Sequence, residues 1–224
     1  MNVELQASDG HRLSAYLTSP ATPATKAVVI VQEIFGVNKH IRAVTDEYAR
    51  DGFLAVAPAL FDRVERDLEL DYLPPDRQRG FSIATQIGME TALRDIAAAV
   101  SYTTEQVGAA HVGVVGFCWG GSLAWLAATR LRVGAVVAYY GGRIAEYADE
   151  QPHCPVMLHF GSRDAHIPES EIDKIRSAHP EIPIHLYDAG HGFNCDYRQD
   201  YEPNSAALAR QRTLAFLDRD LDSH

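Results

Sequence analysis

Three residues able to cooperate in nucleophilic catalysis occur in a telling order along this chain: Cys118, Asp164 and His191. Each stands just beyond a short apolar run rich in strand-forming residues, over 111–115, 155–160 and 182–187. A thiol is a poor nucleophile until ionised. An imidazole within hydrogen-bond reach takes its proton, and a carboxylate behind the imidazole fixes the tautomer and supports the imidazolium. Cys118 sits in Gly116-Phe117-Cys118-Trp119-Gly120-Gly121, a Gly-x-Cys-x-Gly pattern between a valine-rich run and good helix formers. A strand turning into a helix within so few residues forces its central residue into strained backbone geometry. Glycines must flank it, because a Cβ there would collide with the neighbouring strand and helix. The helix N-terminus below the sulfur favours a thiolate and an oxyanion.

The spacing of the three, about 46 and then about 27 residues, suits one strand–helix unit per step. Nucleophile, acid, histidine is the chain order of the α/β-hydrolase fold. His166 and His185 are the rival bases. His185 falls inside a strand and points into a face; His166 falls on the loop surface. The oxyanion hole is expected from the backbone N–H groups of Trp119, directly after the nucleophile, and of Ile34, beyond the third strand. That strand, residues 27–31, is a continuous β-branched run of the kind buried on both faces in a parallel sheet. It leads into Gln32-Glu33-Ile34-Phe35-Gly36-Val37-Asn38, a carboxylate and bulky apolar residues at a strand's C-terminal end, where open α/β sheets place ligands. Asn38 there also suits a helix N-cap.

Around these residues the chain alternates strands and helices. Residues 2–7 and 12–18 read as a β-hairpin about Ser8-Asp9-Gly10. Helices are expected over 39–51, 81–104, 168–178 and 205–221, with another following the elbow. Further strands are expected over 53–58 and 133–140, and the charged stretch 61–79 with Pro74-Pro75 reads as a loop bordering the pocket. The result is one α/β domain over 1–224: a mostly parallel central sheet flanked by helices, with an N-terminal antiparallel hairpin.

A net charge of −10 argues against nucleic acid or anionic lipid as partner, and no run approaches the ~20 apolar residues of a membrane span. The start lacks the regions of a signal peptide, and three cysteines are no disulfide framework, so a cytoplasmic chain with free thiols is expected. Ten histidines without H-x-x-x-H or H-E-x-x-H spacing give no metal pattern; the nearest cluster is His153 beside Cys154. No metal or cofactor is expected, and a monomer or small homo-oligomer fits the composition.

The segments 32–38, 116–121 and Ala189-Gly190-His191-Gly192-Phe193 resemble the dienelactone hydrolase (carboxymethylenebutenolidase) family, and the resemblance spans nearly the whole chain. It implies hydrolysis of a small carboxylated enol-lactone through Cys118, with His191 as base, Asp164 as its orienter and no cofactor. It implies that Glu33 contacts the resting thiol and helps form the thiolate when substrate binds. It also implies an arginine before the long helix on the substrate carboxylate, for which Arg79 is the match. Phe35, Cys195 and Arg198 are the other expected substrate contacts. The chain departs from the pattern where a second arginine is expected four residues after the histidine: Cys195 stands there, Gly192 replaces a serine, and Arg198 lies three further on. Two other readings remain open: a general carboxylesterase or thioesterase of the same fold, and a redox-sensing thiol protein in which Cys118 pairs with Cys195.

Overall fold

The computed structural model describes residues 1–221. Eight strands form one sheet: β1 (Asn2–Gln6), β2 (Arg12–Thr18), β3 (Ala27–Val31), β4 (Leu54–Pro58), β5 (Val112–Phe117), β6 (Ala135–Tyr139), β7 (Val156–Gly161) and β8 (Ile184–Tyr187). Their order across the sheet is β1-β2-β4-β3-β5-β6-β7-β8. β2 pairs antiparallel with both β1 and β4, and every pair from β4 to β8 is parallel. This is the α/β-hydrolase fold with its N-terminal antiparallel pair.

Helices cover the sheet: α1 (Lys39–Arg50), α2 (Pro74–Ile87), α3 (Met89–Val107), α4 (Trp119–Arg130), α5 (Glu169–Ala178) and α6 (Pro203–Leu221). Burial on both faces explains the composition of the central strands. All five residues of β3 and all six of β5 are buried, and each large aliphatic side chain so covered contributes about 1.5–3 kcal/mol. β1 and β2, at the sheet's margin, alternate exposed and buried positions.

The chain leaves β3 towards β4 on one side and returns to β5 on the other. The strand order therefore reverses between β3 and β5, opening a crevice at their C-terminal ends. Glu33 and Cys118 follow those two ends.

The stretch 61–79 is not all loop. Residues Leu60–Arg63 form a 3-10 turn, and α2 begins at Pro74. The two prolines that suggest a loop occupy the first turn of a helix, where a missing N–H costs nothing. The helix expected over 81–104 is two helices, separated at Gly88, whose φ of 71° ends α2 and starts α3. The apolar periodicity runs across this break, so the sequence pattern conceals it. Asn38 does cap α1, its side chain accepting from the Ile41 N–H at 3.2 Å.

Candidate active site

The elbow at Cys118 has the geometry its glycines demand. Cys118 is the N-cap of α4, with φ 55° and ψ −117°, a conformation costing a non-glycine residue on the order of 1–3 kcal/mol. A Cβ on Gly116 would lie 1.9 Å from the Gly120 carbonyl oxygen, and one on Gly120 would lie 2.3 Å from the Val31 oxygen. α4 thus starts in direct backbone contact with the end of β3, holding the half-buried thiol at the crevice. Trp119 occupies the first position of α4, so the helix itself leaves its N–H unused.

Asp164 and His191 follow β7 and β8, as the sequence requires. His191 Nε2 is 3.1 Å from Cys118 Sγ, and His191 Nδ1 is 2.7 Å from Asp164 Oδ2. The other Asp164 oxygen accepts the His166 N–H at 2.8 Å, which fixes the carboxylate's orientation. Burial alone would lower the His191 pKa. The adjoining Cys118 sulfur and the bond to Asp164 outweigh it and raise the imidazole to about 10. The imidazole is thereby a strong acceptor for a proton from the sulfur it faces at 3.1 Å. His166 is exposed, its ring edge-on 5.2 Å from His191. His185 lies in β8 and stacks on buried His159 at 5.5 Å, away from the triad.

Glu33 faces Arg198 in this structure. Its Oε1 accepts from Arg198 Nη1 at 3.1 Å, with the carboxylate side chain 1% and the guanidinium 13% exposed. The thiol's contact is with His191, so the expected resting contact between thiol and Glu33 is not the one adopted here. The departures from the family pattern explain one another sterically. A Cβ on Gly192, which has φ 81°, would lie 2.6 Å from the Arg198 guanidinium. A side chain at 192 would press on the guanidinium end of Arg198, which here reaches Glu33 past a glycine.

The remaining expected contacts divide. Arg79 lies on α2, its guanidinium about half exposed and paired with Glu65. Its neighbour Gly80 packs on the Ile34 carbonyl so closely that a Cβ would lie 1.8 Å from the oxygen, which ties α2 to the Glu33 loop. Phe35 is 2% exposed, its ring 4.4 Å from that of Tyr72, and so it backs the site. Cys195 is fully buried beside Glu33, because the turn after His191 folds inward there.

Sequence reasoning passed over Tyr140 and His40. Tyr140 directly follows β6, has φ 39°, and sets its ring tilted 5.1 Å from that of His191; its hydroxyl has no partner among the described residues. Burial, then the charges of Glu33 and Cys195, hold its phenol well above the ordinary range. Its place at a fourth strand end, before Gly141-Gly142, was the available signal. His40 lies on α1, 3% exposed, and nothing in its sequence surroundings marks it.

A strained thiol between a helix N-terminus and a carboxylate-backed imidazole, on this topology, is the arrangement of an α/β-hydrolase with a cysteine at the elbow position. The Dienelactone hydrolase family model matches residues 13–221, and the chain belongs to that family. It is 34% identical over 225 residues to the carboxymethylenebutenolidase of Pseudomonas putida, covering 96% of this chain and 94% of that one. To carboxymethylenebutenolidase 1 of Cupriavidus pinatubonensis it is 30% identical over 222 residues, covering 96% and 95%. A crystal structure of a protein assigned as a dienelactone hydrolase, from Klebsiella pneumoniae subsp. pneumoniae, superposes with a TM-score of 0.84 at 29% identity, covering 98% of this chain and 99% of that one. Among the described residues no helix is long and apolar enough to cross a membrane.

Proposed function

We propose that residues 1–224 act as one domain that opens a small carboxylated enol-lactone of the dienelactone type by thiol catalysis. The reading is carried by the Cys118–His191–Asp164 relay, with its contacts of 3.1 and 2.7 Å. The carbonyl of the substrate sits over Cys118. The thiol proton passes to His191 Nε2 and sulfur attacks the carbonyl carbon. The N–H groups of Trp119 and Ile34 receive the oxyanion. Collapse breaks the ring C–O bond, the enolate oxygen leaves with the proton from the imidazolium, and a thioester remains on Cys118.

Acylation also resets the base. The Cys118 charge that raises the His191 pKa disappears once the sulfur is acylated, which frees the imidazole to deprotonate the attacking water. Water then displaces the thiolate, which recovers its proton from His191.

A carboxylate on the substrate needs a cation. Arg198 is the buried candidate and Arg79 the rim candidate. The test is hydrolysis of dienelactone against a simple aryl ester by wild type, Cys118→Ser and Arg79→Ala. Dienelactone turnover lost in Cys118→Ser and slowed selectively in Arg79→Ala supports the reading. Aryl-ester cleavage without dienelactone turnover replaces it with a general carboxylesterase.

A further inference from the structure

Behind the catalytic thiol lies a second group of donors, none of which belongs to the Cys118–His191–Asp164 relay itself. One ligand atom each of Glu33, His40 and Cys195 fall within 4.8 Å of one another, and all three residues are buried. Two of these side chains carry an orphaned atom: Glu33 Oε2 and His40 Nε2 have no hydrogen-bond partner among the described residues. Buried polar atoms are rarely left so, because desolvation without compensation costs about 1–3 kcal/mol each. Both orphans can offer a lone pair, and the third member is a sulfur.

Each donor is also supported from behind. His40 Nδ1 faces Asp196 Oδ1 at 3.2 Å, the carboxylate–histidine pairing that presents the opposite ring nitrogen as an unprotonated ligand. Tyr72, whose oxygen accepts from Asn38 Nδ2 at 3.0 Å, turns its own proton towards the Cys195 sulfur. Arg198 holds Glu33 Oε1 and leaves Oε2 free. Carboxylate, imidazole and thiolate are the ligand types of zinc. A tetrahedral zinc with bonds of about 2.0–2.3 Å spaces its ligands about 3.3–3.8 Å apart, so contraction by roughly 1 Å closes the site. A hollow of about 210 Å³ lined by His40, Asp196, Phe117, Tyr139, Asn194 and Arg210 reaches the histidine from outside. Cys118 does not line that hollow.

We propose that Glu33, His40 and Cys195 form a three-ligand site for one divalent ion of the zinc class. The ion takes Glu33 Oε2 while Arg198 keeps Oε1. The Cys195 sulfur binds the ion as thiolate, its proton leaving to solvent as the bond forms. Residues 33 and 40 are joined by one loop, but 195 comes from beyond β8. No sequence spacing therefore announces the set.

The experiment uses full-length Cys118→Ser, which removes the competing thiol–imidazole pair. Zn²⁺ is titrated calorimetrically, and Co²⁺ is followed for the near-ultraviolet charge-transfer band of a thiolate–cobalt bond. One equivalent of Zn²⁺ bound, a cobalt–thiolate band, and loss of that band in Cys118→Ser/Cys195→Ser are expected. Cys118→Ser/Asp196→Asn alters an exposed side chain that only supports His40, so it is suited to remain folded; it should weaken Zn²⁺ binding about 10–100-fold. The proposal is overturned if Cys118→Ser binds no Zn²⁺ saturably, or if the Co²⁺ band persists without Cys195.

Discussion

Replacing Arg198 by methionine keeps much of the hydrocarbon stem and deletes the charge that accompanies Glu33 into the interior. The carboxylate is 1% exposed and the Oε1–Nη1 separation is 3.1 Å. At an effective dielectric near 20, two unit charges at that distance attract by about 5 kcal/mol, and much of that attraction offsets desolvation of the pair. What remains after the substitution is an uncompensated buried carboxylate whose Oε2 has no partner either. Such a loss destabilises by about 3–5 kcal/mol. In a chain of this length each kcal/mol moves Tm by about 2–4 °C, so Arg198→Met should melt roughly 6–20 °C below wild type. Glu33→Gln/Arg198→Met removes both charges and should recover at least half of the loss. Urea unfolding of the four members of this cycle, with midpoints read by circular dichroism, gives the coupling directly. A loss below about 1 kcal/mol for Arg198→Met, or a double variant as unstable as the two single losses summed, would refute the reasoning.

Three further outcomes follow from the same geometry. Gly192→Ala meets both a positive φ and the Arg198 guanidinium, so it should cost at least about 1–2 kcal/mol in urea unfolding, and Gly192→Ala/Arg198→Met should cost less than the two changes added. Asp164→Asn removes the tautomer control on His191 and should lower kcat by about 10⁴-fold with little change in KM, measured by steady-state kinetics. NMR of the His191 ring nitrogens should show a protonated imidazole with a midpoint near 10, falling in Cys118→Ser as the sulfur's charge is lost. Because the folded value lies above the unfolded one near 6.5, this contact's stabilisation is complete below about pH 6.5 and is lost as pH rises through about 10. An unchanged midpoint in Cys118→Ser would place the cause elsewhere.

Strand periodicity, the elbow glycines and the chain order of the triad were legible in the sequence because each is a local constraint. Gly116 and Gly120 are dictated by backbone approach to neighbours a few residues away or one strand over. The same locality explains what was concealed. Gly88 divides α2 from α3 through its φ alone, while the apolar stripe runs on past it. Pro74-Pro75 reads equally as loop or helix start until packing decides. Arg198 was visible only as an arginine out of place. That Gly192 vacates its path to Glu33 depends on how the turn after His191 folds inward. The meeting of His40, Glu33 and Cys195 depends on α1 and the chain beyond β8 packing together, which no spacing encodes.

The central claim is that Cys118 is the nucleophile of a lactone-opening relay, and intact-protein mass spectrometry during turnover tests it most directly. Asp164→Asn mixed briefly with dienelactone and quenched in acid slows deacylation enough to trap the intermediate. A mass increase equal to one whole ring-opened substrate, located on the peptide bearing Cys118 and absent from Cys118→Ser/Asp164→Asn, is the expected result. Adduct formation on another residue, or dienelactone turnover undiminished in Cys118→Ser, would contradict it.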